Sequence, residues 1–241
     1  MPTKELMEKL RLELAALSEM VERNVDSAVM SLVERSEEMA AEVIGYDAQV
    51  DEMDIAVKKL GIEILQLAHP KTDEFRFVIA AIQIAAKLDV IDDLAVDVAR
   101  SVQRLIERRS IQTDLSNFAE MLEFTSMMVR DSVASLLDRN EELAFRVCAH
   151  DELVDEAYGL LESQLLGIMG EDAKKAVRAS FLLRCACDLE RIANHASGIA
   201  EDVIYILEGK IVSHHIGEWR KRLAPELEKR RANLKRRKGK L

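Results

Sequence analysis

The sequence predicts an all-α protein: two tandem three-helix bundles, six long helices with a pseudo-two-fold internal repeat, followed by a basic C-terminal tail. Three observations predict it. The stretch SLVERSEEMAAEVIGYDAQVDE at 31–52 returns as SLLDRNEELAFRVCAHDELVDE at 135–156, an offset of 104, with 11 of its 22 positions identical. These are Ser31, Leu32, Arg35, Glu37, Glu38, Ala40, Val43, Asp47, Val50, Asp51 and Glu52. A second echo, at an offset of 101, matches KLDVIDDLAVDVA (87–99) to DLERIANHASGIA (188–200). Next, hydrophobic residues make up 49% and aromatics only 4%, and none of the 3 prolines lies between Pro70 and Pro225. Long proline-free runs of good helix formers argue for helix throughout. Finally, the apolar residues recur in steps averaging 3.5, the period of helices packed at shallow crossing angles.

In chain order, the first helix is expected over Lys4–Glu34 and the second over Glu37–Leu67, with Ser36 before a Glu pair as its N-cap. The second helix carries the stripe Val50, Met53, Val57, Leu60, Ile64 and Leu67. His69-Pro70 breaks the chain before a third helix over Asp73–Glu107, whose stripe is Leu88, Ile91, Ala95, Val98, Val102 and Leu105. The second set follows as Asp114–Leu137, Glu141–Ile168 and Glu171–Leu207, with Asn140 as the matching N-cap and Gly170 as the break matching His69-Pro70. Leu189, Ile192, Ala196, Ile199, Val203 and Ile206 repeat the third-helix stripe in the same phase, and Gly209 ends the last helix. The units are read as 1–110 and 111–215, with a basic extension at 216–241. One continuous six-helix bundle is the alternative.

The formal net charge is −10, unevenly placed: residues 216–241 hold eleven Lys/Arg and three Glu, leaving −18 on the rest. The helical body is therefore a poor nonspecific nucleic-acid binder. The tail has Trp219, Leu223 and Leu227 at i, i+4 and i+8 among basic residues. It reads as a solvated, disordered tail, or as a segment that serves a protein partner, a membrane surface or nucleic acid. MPTKELMEKL is charged and has no apolar signal segment, and no run approaches the ~18–20 apolar residues of a membrane span. Cys148, Cys185 and Cys187 form no CxxC pair and read as reduced thiols of a cytosolic protein.

Carboxylates carry the chemistry. Asp47 and Asp51 are four apart on one helix, and Asp89, Asp93 and Asp97 are four apart on the next. Residues at i and i+4 share a face, where like charges repel by ~0.2–0.5 kcal/mol per pair. The second unit keeps the spacing with Asp151 and Asp155, and with Glu190 and Asn194. Facing pairs on antiparallel helices would gather four or more oxygens, a ligand set suited to magnesium, manganese, calcium or iron. His195 could add a nitrogen. No GxxxxGK[ST], GxGxxG, GxSxG or HExxH occurs, and Glu190 and His195 are five apart, not the Glu-x-x-His spacing of di-iron bundles.

The run LAHPKTDEFRFVIAAIQIAAKLDVIDDLAVDVAR resembles the PhoU family of phosphate-uptake regulators. The matches are Pro70, Glu74-Phe75-Arg76, and Leu88-Asp89 with Ile91 and Asp93; in the second unit they are Asp188-Leu189-Glu190-Arg191-Ile192 and His195. The resemblance spans about Leu10 to Val212. Val90, Asp92 and Leu94 stand where the family has Arg, Gly and His, and Ala193, Asn194 and Gly198 where it has Gly, Asp and Asn. The resemblance implies a noncatalytic negative regulator of phosphate uptake and phosphate-starvation signalling. It implies contacts with phosphate ABC transporter subunits and a sensor histidine kinase, homodimerisation, and a cytoplasmic place at the inner face of the membrane held through partners. It also implies iron or zinc on the acidic motifs, and Arg76, Arg191 and His195 as partner-binding positions. Two other readings compete: a carboxylate-bridged metalloenzyme (oxidase or phosphohydrolase), and a purely structural helical adaptor.

Overall fold

The computed structural model describes residues 3–67, 71–106, 116–171 and 173–209. Six helices run in order: α1 Thr3–Glu34, α2 Glu37–Leu67, α3 Thr72–Ile106, α4 Ser116–Leu137, α5 Glu141–Glu171 and α6 Ala173–Glu208. The described residues include no strand, and no described helix is long and apolar enough to cross a membrane. The expectations for His69, Pro70, His214, His215, Trp219, Leu223 and Leu227 lie outside the described residues.

The duplicated sequence builds the same turn twice. Arg35 (φ 55) and Arg139 (φ 51) leave the helix in the left-handed conformation. The following amides reach back to close α1 and α4, Ser36 N to Ser31 O at 3.0 Å and Asn140 N to Ser135 O at 2.9 Å. The same two residues then cap the next helices. Ser36 Oγ accepts from Met39 N at 3.2 Å, and Asn140 Oδ1 accepts from Leu143 N at 3.0 Å. Gly209 (φ 70) ends α6 as expected. The expected break at Gly170 is not there, because α5 runs through it to Glu171. A Cβ there would meet nothing within 4 Å, and a lone glycine costs an exposed helix only about 1 kcal/mol, too little to end it.

α2, α3, α6 and α5 lie side by side in that order. α1 covers α2 and α3, α4 covers α5 and α6, and α1 touches α4. Within the described residues, nothing packs on the other face of this four-helix layer. The stripes fill the interior: all six apolar positions predicted on α3 and all six on α6 are buried. On α2, Leu67 departs from its stripe and is exposed.

The two units meet along α3 and α6 as extensively as helices meet within a unit. Polar bonds cross this seam. Lys87 Nζ donates to Gly198 O at 2.8 Å and to Asp202 Oδ2 at 2.5 Å. A Cβ on Gly198 would stand 3.2 Å from the Lys87 side chain, which would have to shift to admit it. At the far end, Arg178 Nη1 donates to Leu105 O at 2.8 Å and Arg35 Nη2 to the same oxygen at 3.3 Å, placing two cations at the C-terminus of α3. Cys148 and Cys185 are buried free thiols, each pushed up to about 12, chiefly by burial.

Candidate functional site

The acidic site is a product of register. α2 and α3 are antiparallel neighbours, and Gly61 packs so close to Ile82 that a Cβ would stand 2.8 Å from that side chain. In this register Asp54 and Asp51 come beside Asp89, and Asp47 and Asp51 beside Asp93. The charges act accordingly. Asp89 is pushed up to about 6, first by burial, then by Asp54, Asp93 and Asp51, with Lys58 opposing. Asp93 is raised by partial burial, then by Asp47, Asp51 and Asp97, with Arg100 opposing. Asp47, Asp51, Asp89 and Asp93, separately predicted from sequence, therefore occupy one face and share one field.

Two further carboxylates underlie that face. Asp92 is 2% exposed and pushed up to about 7, by burial first and then by Asp47, Asp93 and Asp51. Its Oδ1 accepts from Asn24 Nδ2 of α1 at 2.8 Å, and its Oδ2 has no hydrogen-bond partner. Asp54 is 4% exposed; Oδ2 pairs with Lys58 Nζ at 2.5 Å, while Oδ1 has no hydrogen-bond partner. Sequence reasoning missed both, and the signal was available. Asp54 sits four after Val50, and Asp92 four after Leu88, so each puts an acid on the buried side of its helix.

Asp97 leaves the cluster. It pairs with Arg100 at 3.2 Å and, across the seam, with Arg184 at 3.1 Å. Beside it, Asp188 is buried and pushed up to about 6 by burial and then by Asp97. Arg184 and Arg191 oppose this from 3.9 and 3.8 Å. Asp188 belongs to a motif noted in the sequence, but no site role was read for it.

The second unit has the same register with weaker chemistry. Cys148 Sγ donates to Ser197 O at 3.8 Å, and Tyr158 lies near Cys187 and Glu190. That register brings half-buried Asp151 level with Asn194, and exposed Asp155 level with Glu190. Asn194 is neutral and donates Nδ2 to Glu190 at 2.7 Å, so the amide engages an oxygen that its counterpart Asp93 leaves to the field. The expected partner residues are split. Arg191 is exposed and His195 half-buried on α6, where burial, Arg191 and Lys87 lower the His195 pKa. Arg76 sits at the start of α3, paired with Asp73 at 2.6 Å and grouped with Arg11 and Arg139.

The donor set is all oxygen, carries raised carboxylates on α3 and includes buried oxygens without hydrogen-bond partners, which is chemistry that a hard cation satisfies. As the side chains stand among the described residues, no three His, Cys, Asp or Glu close on a common metal position.

A family model described as the PhoU domain matches twice, over residues 14–102 and 118–203. The phosphate-specific transport system accessory protein PhoU homolog 2 of Thermotoga maritima is 33% identical over 190 residues, covering 79% of this chain and 80% of the relative. The corresponding homolog of Aquifex aeolicus is 32% identical over 213 residues, covering 88% of this chain and 96% of the relative. The crystal structure of PhoU from Pseudomonas aeruginosa superposes with a TM-score of 0.83 at 27% identity, covering 86% of this chain and 99% of that one. The Streptococcus pneumoniae phosphate transport system regulatory protein PhoU shares the fold, with a TM-score of 0.78 at 21% identity.

Proposed function

Since the chain belongs to the PhoU family, we propose that it is a noncatalytic accessory protein of phosphate-specific transport that restrains phosphate uptake and the phosphate-starvation response. The observation that carries this reading is the twice-matched domain together with the acidic α2/α3 face in its first copy. The relatives are named as accessory proteins of the phosphate-specific transport system, and the chain acts by contacts with the transporter subunits and a sensor histidine kinase. It works in the cytoplasm, at the inner face of the membrane through these partners, as a homodimer. Arg191 and His195 on the open side of α6, and Arg76 at the start of α3, are the contacts assigned to partners.

A divalent or trivalent ion (iron, zinc, manganese or magnesium) would be held by Asp47, Asp51, Asp89 and Asp93, where it offsets the repulsion among them. The second unit's set, Asp151, Asp155, Glu190 and Asn194, holds a cation more weakly because Asn194 brings no charge. Asp97 contributes to the field and is engaged by arginines.

Two measurements test the reading. Capture of transporter and kinase components by the intact protein, compared with an Arg191→Ala/His195→Ala form, is expected to lose partner yield at least threefold. Equal capture by both forms removes the α6 contact. Elemental analysis of protein purified without chelator is expected to find about one ion per chain at the first site, lost in Asp89→Asn/Asp93→Asn. Metal-free protein whose melting temperature no added ion changes removes the metal and leaves the regulator standing.

A further inference from the structure

We propose that the basic segment 216–241 docks on the acidic α2/α3 face of its own chain, as a built-in cationic occupant that competes with metal and with basic partners there. The proposal rests on that face being the functional face, and not on a metal being present.

The face has a charge demand. Asp47, Asp51, Asp89 and Asp93 lie together on it, with Lys58 and Arg100 beside them. Beneath them, Asp92 is 2% exposed and its Oδ2 has no hydrogen-bond partner. The same chain holds a complementary supply: residues 216–241 carry eleven Lys/Arg against three Glu, while the remainder carries −18. The extension lies beyond the family match, which ends at 203.

Geometry permits the contact. The chain leaves α6 at Gly209, where an added Cβ would collide with the Arg76 guanidinium at the start of α3. Arg11, Arg76 and Arg139 gather at that end together with Asp73 and Glu74. Asp89 is 13 residues further along α3 than Arg76, about 20 Å. Residues 210–241, fully extended, span about 100 Å. Tethering holds the segment near its target at an effective concentration on the order of millimolar, which favours the contact within one chain over contact between chains.

The chain supplies its own reporter. Trp219 is its single tryptophan and lies inside the basic segment. Fluorescence anisotropy of Trp219 is read on the full chain in metal-free buffer, so that failure of the metal assignment leaves this measurement intact. The expected result is high anisotropy that falls by about a third or more when NaCl rises from about 0.02 M to about 0.5 M. The same fall is expected in Asp47→Asn/Asp51→Asn/Asp89→Asn/Asp93→Asn, and in Lys235→Gln/Arg236→Gln/Arg237→Gln/Lys238→Gln, which leaves the helical body untouched. Neutralising another acidic patch, Glu19→Gln/Glu22→Gln/Asp26→Asn/Asp131→Asn, leaves the signal unchanged. Carbodiimide coupling is expected to join tail lysines to acids of the α2/α3 face within one chain. Anisotropy indifferent to salt overturns the proposal, as does equal loss in the control variant. Anisotropy that rises with protein concentration, or coupling between isotopically distinct chains, assigns the tail to a second copy instead. Low anisotropy that rises only on adding phosphatidylglycerol vesicles assigns it to an anionic lipid surface.

Discussion

Asp92 stands where an apolar or small residue would pack without electrostatic cost. Its folded-state pKa of about 7 lies above the ordinary 3.8, so the folded chain binds this proton more tightly than the unfolded one. Between those values the folded state holds the extra proton, stability falls as pH rises, and the full cost is present above pH 7. Asp92→Asn keeps an oxygen for Asn24 and places an amide among the carboxylates. It is expected to stabilise the protein at pH 8 by about 1–2 kcal/mol, or roughly 3–6 °C in Tm, and to change little at pH 4. Thermal unfolding at the two pH values checks this; an equal Tm shift at both would show that packing, not charge, governs the site. Cation binding draws on the same repulsion, so saturating metal is expected to give a larger Tm rise in the unmodified chain than in Asp92→Asn.

At the scale of elements, the third helices carry the argument. Their stripes were legible because a 3.5-residue apolar period has one structural meaning, and every predicted position on α3 and α6 is buried. The turns were legible too, because Ser36 and Asn140 are N-cap residues whose side chains bond as their chemistry requires. Gly170 was misread because a glycine stops a helix only where the backbone must turn left-handed, as at Gly209, and a sequence does not show which glycines must. The four first-unit aspartates were legible from i, i+4 spacing. Asp54 and Asp92 carried a signal of the same kind, four after Val50 and Leu88, whereas Asp188 is buried beside Asp97 of the other unit, which spacing on a single helix does not encode. The Lys87–Asp202 bond belongs to this scale because it ties one third helix to the other. Lys87→Met leaves Asp202, with 15% of its side chain exposed, without that partner. The expected loss is about 2 kcal/mol, below the ~3–5 kcal/mol of a fully buried pair because the Lys87 side chain keeps 29% of its surface. Lys87→Met/Asp202→Leu is expected to recover most of it, and chemical denaturation of the three variants measures the coupling.

At the scale of the whole molecule, the two matched domains are expected to unfold as one unit. α3 and α6 bury against each other as fully as against their own neighbours, so neither three-helix unit keeps a closed core alone. Calorimetry is expected to give a single transition whose calorimetric and van't Hoff enthalpies agree; two resolved transitions would mean the units fold independently. The acidic face lies across α2 and α3, and changes on its exposed carboxylates are expected to move binding more than folding.

The Lys87–Asp202 bond also bears on how a duplicated chain avoids mispairing. In the internal alignment, Lys87 corresponds to Asp188, and Asp202 to Ser101. Two copies of the first unit meeting through their third helices would set Lys87 against Ser101. Two copies of the second would set Asp188 against Asp202, acid against acid. Only the unlike halves place the ammonium opposite a carboxylate. An isologous contact has thus acquired polarity: one substitution on each side gives the seam a preference for its own sister over its twin, by attraction in the correct pairing and repulsion in one of the wrong ones.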